Sequence, residues 1–266
     1  MNTPSSTRMP ALFIGHGSPM LAIESNPFTP RWHQAAQKIP RPRAVVCISA
    51  HWESEDSADT AAAELGLIYD FYGFPPALYQ VQYPVAGSPA LAAQLAQVLE
   101  HSDLRQDGQR GLDHGAWAVL KHLYPQADVP VVQLSLNRNL SPQQHIALAR
   151  GLQPLRDEGV LILGSGNLVH NLRLLDWQHM HKADFGFDWA RRAQTLLLDL
   201  IRRRDLAALA DYAALGDDVR RAIPTPEHFL PLLYVLALQQ DDEDALIFNT
   251  EFVGGSLDMT CVQIGV

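Results

Sequence analysis

Short, uninterrupted runs of apolar residues recur along the chain and predict the strands of a buried sheet. The runs are rich in β-branched residues and show little polar alternation, which is typical of strands that are covered on both faces. Four runs share this pattern: residues 11–14, 44–49, 129–134 and 160–163. They therefore predict core strands rather than half-exposed surface strands.

The segments between these runs carry helical spacing, and two of them begin with good capping residues. Asp113 precedes one segment, and Ser141-Pro142 begins another that ends at Gly159. The predicted helices span residues 89–100, 114–124, 142–158, 188–216 (as one or two helices) and 227–239. Alternating strands and helices predict an α/β fold with a mostly parallel central sheet flanked by helices.

The end of the chain departs from this alternation. Residues 245–253 and 256–264 are strand-like and flank Gly254-Gly255, which predicts a C-terminal antiparallel hairpin at the edge of the sheet. Residues 53–84 are irregular and rich in aromatic residues and proline, a composition that favours a functional loop. Because no repeat or linker interrupts the chain, residues 1–266 are expected to form a single domain.

Composition and charge exclude several classes of protein. The chain is 47% apolar and carries a formal net charge of −9, so disorder and nucleic-acid binding are both disfavoured. No apolar run approaches the ~20 residues that a membrane-spanning helix needs, and none marks a signal peptide. Cys47 lies inside a predicted strand, which favours a buried thiol over a disulfide. We therefore expect a cytoplasmic protein with no nucleic-acid or membrane partner.

Histidines mark the points where predicted strands end and helices begin. His16, His51 and His170 follow strands, while His114 and His228 lie at predicted helix starts. Strand ends and helix starts face the same rim of an open α/β sheet, where such folds bind ligands. Imidazole suits Zn(II) and Fe(II), so the pattern is compatible with a metal site. It is equally compatible with separate structural histidines that are only hydrogen-bonded.

The remaining histidines are expected to lie outside any such site. Two of them, His179 and His181, lie in a predicted loop. The others are predicted to be surface residues because they sit beside charged residues or glutamine: His33, His101, His122 and His145. Phosphate-binding loops and nucleophile elbows have sequence signatures that this chain lacks.

Five motifs occur in an order that resembles the class III extradiol ring-cleavage dioxygenases. The motifs read FIGHGSPM, CISAHW, DHGAW, GSGNLVHNL and PEHFLPL. A sixth tract, IYDFYGFPPALYQVQYP at residues 68–84, resembles the branch of 4,5-DOPA extradiol dioxygenases rather than the protocatechuate branch. The resemblance runs from about Leu12 to Ile264.

The resemblance implies a role for each histidine in these motifs. His16, His51 and His228 match the family's metal ligands, and His170 matches its acid/base histidine, which could also approach the metal as a fourth ligand. His114 matches a histidine that contacts substrate. Fe(II) is the metal expected for activity, and Zn(II) is an alternative occupant of the same site. His228 stands where the protocatechuate relatives have a glutamate, so three neutral ligands would leave more positive charge on the ion.

The activity implied by the resemblance is insertion of both atoms of O2 into a DOPA-like catechol to give a muconic semialdehyde. The partners would be a small-molecule catechol and O2, and a homo-oligomer is compatible with the resemblance. Tyr72 and Phe74 are expected to line the substrate pocket, although ordinary packing of a long loop would explain them equally well. Ser165 and Asn167 are weaker candidates for orienting the His170 loop.

Two other functions use the same residues. A zinc-dependent hydrolase would employ a metal-bound water and a carboxylate base, for which Glu227 is the obvious candidate. Glu227 is expected to point away from His228, which favours the dioxygenase. A non-catalytic binding protein could keep the same scaffold, since a fold does not determine a function. Arg31 and Arg173 are minor candidates for binding a substrate carboxylate.

Overall fold

A computed structural model describes residues 8–99 and 103–265 of the chain. Its strands are β1 (Ala11–Gly15), β2 (Ala44–Ser54), β3 (Ala58–Thr60), β4 (Arg105–Asp107), β5 (Val131–Asn137), β6 (Val160–Gly166), β7 (Ala245–Phe248), β8 (Phe252–Val253), β9 (Leu257–Asp258) and β10 (Cys261–Ile264). Its helices are α1 (Thr29–Lys38), α2 (Pro89–Val98), α3 (His114–Leu123), α4 (Pro142–Arg150), α5 (Gln153–Asp157), α6 (Asp188–Arg202), α7 (Leu206–Ala210), α8 (Asp217–Ala222) and α9 (Leu230–Leu236).

Among the described residues, eight strands form one sheet in the order β4-β3-β5-β2-β6-β1-β10-β7. The four central strands, β5, β2, β6 and β1, are parallel to one another, and β10 and β7 add antiparallel strands at one edge. The prediction of a mostly parallel, helix-flanked sheet is confirmed. The four predicted apolar runs are its four central strands, each extended toward the carboxyl end.

Apolar residues of each central strand alternate between two cores, one on each face of the sheet. On β2, Val46 and Ile48 belong to the core under α2, α4, α5, α6 and α9, whereas Val45 and Cys47 belong to the core under α1 and α3. This double burial explains why the strand sequences lack polar alternation. Cys47 is buried as a free thiol, as predicted.

The C-terminal hairpin forms with a more complex turn than predicted. Strands β7 and β10 pair antiparallel, with Phe248 opposite Cys261. The residues between them make a separate two-stranded ladder, β8 with β9, around the Gly254-Gly255 turn. The two continuous strands expected on either side of this turn are therefore each interrupted.

Several elements differ from the predicted ones. The segment 142–158 breaks into α4 and α5, and α9 begins three residues later than expected, at Leu230. Helices α1 and α8 and the short strands β3 and β4 were missed, because they are polar or only a few residues long. His145, predicted to be exposed, is fully buried, and its Nδ1 lies 2.9 Å from Tyr234 Oη. His101 lies outside the described residues.

Within the described part of the chain, no helix combines the length and apolar character needed to cross a membrane.

Candidate metal centre and active site

Five histidines from five parts of the chain meet at the carboxyl edge of the central strands. His16 follows β1, His51 lies near the end of β2, His114 begins α3, His170 follows β6, and His228 precedes α9. The ring centroids of His16 and His51 are 5.0 Å apart, those of His51 and His228 are 5.1 Å apart, and those of His16 and His228 are 5.3 Å apart. The structure thus brings together the three histidines predicted to hold a metal.

His51 reaches the cluster because β2 extends past its neighbour. Pairing of β2 with β6 ends at Ser49 and Ser165, and the register with β5 shifts between Ile48 and Glu53. His51 lies inside this irregular stretch, not beyond the strand end as the sequence suggested. Such irregularities in a ladder re-aim side chains, and they are common beside active sites.

His228 reaches the cluster because Gly166 lets its turn lie directly on β6. A Cβ on Gly166 would stand only 2.1 Å from the carbonyl oxygen of His228. The same carbonyl accepts a hydrogen bond of 2.9 Å from the backbone N–H of Asn167. The His228 carbonyl is therefore bound at the end of β6 instead of within α9, which agrees with the late start of that helix.

The orientation of the His16 ring is fixed by a serine. Its Nδ1 lies 3.0 Å from Ser165 Oγ, and that hydroxyl donates its single proton to the carbonyl of Gly115 at 2.6 Å. Ser165 can therefore only accept from His16, so Nδ1 carries the proton and Nε2 carries the lone pair. Ser165 thus orients a predicted ligand rather than the His170 loop.

Carboxylates lie against the Nδ1 atoms of the other two rings. His51 Nδ1 is 3.5 Å from Asp70 Oδ2, and His228 Nδ1 is 3.3 Å from Glu227 Oε1. A carboxylate beside Nδ1 favours the proton on that nitrogen, which leaves Nε2 free as a ligand. The expectation that Glu227 points away from His228 is wrong. Its Oε1 contacts the ring, and it also accepts a hydrogen bond of 2.8 Å from Thr225 Oγ1.

Burial keeps these histidines neutral. It lowers the pKa of His16 and His228 well below the usual 6.5, and neighbouring histidines lower both further. Burial also lowers the pKa of His51 to about 3 and that of His170 to about 4. Neutral imidazole is the form that binds metals, so the cluster is ready for a cation at neutral pH.

The inward-facing nitrogens fit a divalent metal. His16 Nε2 and His51 Nε2 lie 3.1 Å apart, and His228 Nε2 is buried without a hydrogen-bond partner among the described residues. A buried polar atom without a partner is costly, and two facing lone pairs repel unless a cation lies between them. Nitrogens bound at ~2.0–2.1 Å to one ion are about 2.8–3.4 Å apart at octahedral or tetrahedral angles. His16, His51 and His228 are therefore suited to hold Zn(II) or Fe(II).

His114 and His170 lie against different members of this trio. The His114 ring centroid is 3.9 Å from that of His51, and ligand atoms of His16, His51 and His114 all lie within 4.8 Å of one another. The His170 ring stacks on His228, and these two histidines form a second group of that kind with Glu227. Both positions are next to the trio, and the roles predicted for them remain predictions.

The aromatic loop contributes a different residue from those expected. The side chain of Tyr72 is 92% exposed, so the structure does not bring it to the histidines. Phe74 is half-buried and packs on Phe71, at 5.4 Å between ring centroids. Phe71 is the ring that meets the cluster, edge-on to His114 at 5.5 Å. The sequence placed Phe71 in the aromatic tract 68–84, but no feature of the neighbouring sequence showed that Phe71, and not Tyr72 or Phe74, would face the histidines.

The structure does not bring the two candidate arginines to the histidine cluster. Arg31 pairs with Glu251 at 2.6 Å, and Arg173 is exposed on a short helical turn. Asp113 caps α3 as predicted, accepting from the Ala116 N–H at 3.1 Å, and it also accepts from Ser49 Oγ at 2.7 Å. The latter bond ties the start of α3 to β2 beneath His51 and His114.

Comparison with known proteins identifies a family that agrees with the fold and with the histidine cluster. Residues 10–256 match the family described as the catalytic LigB subunit of aromatic ring-opening dioxygenase. The chain belongs to this family, and it is an extradiol dioxygenase. The resemblance drawn from the five motifs is therefore confirmed, and the match favours the dioxygenase over the hydrolase.

Particular relatives include enzymes named 4,5-DOPA dioxygenase extradiol. The one from Escherichia coli (strain K12) is 42% identical over a match that covers 98% of this chain and 96% of the relative. The one from Beta vulgaris is 35% identical and is matched over 91% of each chain. The crystal structure of an uncharacterized protein from Escherichia coli K12 superimposes with a TM-score of 0.82 at 37% identity, covering 97% of this chain and 100% of that one.

Proposed function

We propose that this enzyme is a metal-dependent dioxygenase that opens the ring of a DOPA-like catechol beside its hydroxyl groups. Both atoms of O2 would enter the product, a muconic semialdehyde. The observation that carries the proposal is the convergence of His16, His51 and His228, whose Nδ1 atoms all face acceptors and whose Nε2 atoms remain as ligands. Relatives of similar length named as DOPA dioxygenases support the choice of substrate.

Fe(II) is the ion we propose for activity, with Zn(II) as an alternative occupant. When bound, such an ion would supply a common attachment point for the two catechol oxygens and dioxygen. His16, His51 and His228 would hold it, and His170 is a candidate fourth ligand in the absence of substrate.

His170 is proposed to move protons. Its half-buried ring stacks on His228, and the lowering of its pKa to about 4 by burial keeps it neutral and able to accept a proton from a catechol hydroxyl. The same nitrogen would return that proton later in the reaction. General acid–base help of this kind typically contributes ~10²–10⁴-fold to a rate.

His114 and the loop beside it are proposed to orient the substrate. The Nδ1 of His114 lies 3.0 Å from Asp70 Oδ1, so its Nε2 side is free to hydrogen-bond a substrate oxygen. Phe71 packs on His114 and would lie against the catechol ring. Phe74 would support Phe71 from behind, and Tyr72 would reach the ring only by turning in from solvent.

A cytoplasmic location and a homo-oligomer also remain predictions.

A zinc-dependent hydrolase is the alternative function that the same histidine cluster could support. It needs a carboxylate free to activate a water molecule, and Glu227 is the nearest to His228. Glu227 already accepts from Thr225 Oγ1 and contacts His228 Nδ1, so it serves as a partner of the ring. This arrangement favours the dioxygenase.

The test is anaerobic reconstitution with Fe(II), followed by measurement of oxygen uptake and product absorbance with catechol, DOPA and caffeate. We expect oxygen uptake with at least one catechol and none with His16→Ala, which should also lose the metal. Hydrolysis of esters or amides by the zinc-loaded protein, with no oxygen uptake by the iron-loaded protein, would establish the hydrolase instead.

A further inference from the structure

Asp70 contacts two histidines of the cluster at once. Its Oδ1 lies 3.0 Å from His114 Nδ1, and its Oδ2 lies 3.5 Å from His51 Nδ1. The backbone N–H of His114 donates to Oδ1 at 2.9 Å, which fixes the carboxylate in place. Only 23% of the Asp70 side chain is exposed, so these contacts are partly shielded from solvent.

The segment around Asp70 is anchored independently of the histidines. The N–H of Ile68 donates to Leu112 O at 2.7 Å, and the Trp117 indole N–H donates to Ile68 O at 3.0 Å. The adjacent Tyr69 Oη donates to Val81 O at 2.7 Å. Because the two residues before Asp70 are tied to the protein, the carboxylate is held against the two rings without needing either ring to position it.

A carboxylate in this position has two effects on the rings it touches. It favours the proton on Nδ1, so Nε2 of His51 faces the cluster as a lone pair. It also places a negative charge 3.5 Å from Nδ1 of His51, one of three predicted ligands that are all neutral. Residues of this kind orient ligands and raise their basicity although they do not touch the ion.

We infer that Asp70 is a positioning residue of the metal centre, which sets the orientation of His51 and His114 and thereby the affinity for the ion before any catechol binds. This inference rests on the proposed function, because it takes the cluster to be a metal site. Asp70 belongs to the aromatic loop that we propose borders the substrate. Its carboxylate therefore connects this loop to His51, a proposed metal ligand.

A purely structural role for Asp70 would be to cap α3 through the N–H of His114. The N-cap of α3 is Asp113, which accepts from the Ala116 N–H, so the capping share of Asp70 is limited to the single bond from the His114 N–H. The contacts with the two Nδ1 atoms are additional to the cap. The two roles therefore predict different results for metal binding.

The test measures Zn(II) affinity of the full chain without catechol, by competition with a chromophoric chelator. For Asp70→Ala we expect about 10–100-fold weaker binding. Asp70→Asn should fall between this variant and the wild type, because its amide oxygen can face only one of the two rings. Glu64→Gln is the matched control: it removes a carboxylate from an exposed position of the same irregular segment and should bind zinc normally.

Two further measurements distinguish an effect of Asp70 on ligand orientation from an effect on folding stability. The visible spectrum of the Co(II)-loaded protein reports ligand geometry, and we expect it to change in Asp70→Asn even at saturating cobalt. The melting temperature of the metal-free protein reports the cap alone. Wild-type zinc affinity and an unchanged cobalt spectrum in both Asp70 variants would overturn the inference and leave the proposed function standing. Failure of the wild type to bind any divalent metal would overturn both.

Discussion

The imidazole ring of His170 lies flat on that of His228, with centroids 3.5 Å apart and planes inclined by only 6°. One ring is predicted to move protons and the other to hold the ion. Stacking restricts how His170 can rotate, and it brings the acid/base group to within one ring thickness of the proposed ligand. Substitutions of His170 can separate the effect of stacking from that of proton transfer.

His170→Ala removes both the stacked ring and the proton carrier, whereas His170→Phe keeps an aromatic ring against His228. We expect both variants to retain metal and to lose about 10²–10⁴-fold in turnover. Metal content per chain and oxygen uptake with a saturating catechol are the measurements. Near-normal turnover in His170→Phe would show that the stack, not proton transfer, is what His170 contributes.

Ser165→Ala should loosen the His16 ring. The variant lacks the acceptor for Nδ1–H, so the ring can adopt the other tautomer and rotate. We expect about 10-fold or greater loss of Zn(II) affinity. Ser135→Ala is a suitable control because Ser135 is also fully buried but lies on β5. Equal zinc affinities in the two serine variants would contradict the role given to Ser165.

Gly166→Ala should displace the turn that carries His228. The new methyl group would overlap the His228 carbonyl, and relief of such crowding typically costs 1–3 kcal/mol. We expect a lower melting temperature and weaker metal binding together. Gly108→Ala, where nothing lies within 4 Å of the added methyl group, should leave both unchanged. Wild-type metal binding in Gly166→Ala would mean that the turn can move without releasing the ligand.

Glu227→Gln tests the competing hydrolase. The amide removes the charge and the capacity to act as a base, but its oxygen can still accept from His228 Nδ1. We expect oxygen uptake within about 10-fold of wild type, since only an outer contact is altered. A loss of more than 10³-fold, with intact metal content, would give Glu227 a direct part in the chemistry.

His145 should make the protein less stable in mild acid. Burial lowers the pKa of His145 to about 4, so the unfolded chain binds more protons than the folded one between pH 4 and about 6.5. Stability is therefore expected to fall as the pH drops through this window, by about 2–4 kcal/mol in total. Chemical denaturation at several pH values should show a smaller dependence in His145→Gln. His181→Gln, at an exposed position, should behave like the wild type.

The sequence predicted those features that depend on local pattern. Unbroken apolar runs identified the central strands, and glycine and histidine at their ends identified the rim where His16, His51 and His170 lie. Asp113 was found as a cap because capping depends on residues within one turn. The motifs then supplied the family, which the fold alone would not have given.

The features that were missed depend on contacts between distant segments. Asp70 comes from an irregular loop, and nothing local indicates that it faces His51 and His114. The extension of β2 past Ser49 depends on where its neighbours stop pairing. His145 appeared exposed from its polar surroundings, yet Tyr234 on α9 covers it. Tyr72 and Phe71 are adjacent and aromatic, and only the fold of the loop decides which one turns inward.

The position of His228 on the backbone of β6 also has a consequence for unfolding. An ion held between residues 16, 51 and 228 would act as a cross-link that closes a chain segment of more than 200 residues. Any opening that lifts the 228 turn off Gly166 must break that link, so bound metal would stabilise the whole sheet, by an amount that grows with its affinity and its free concentration. Chelation would then weaken strands that never touch the ion.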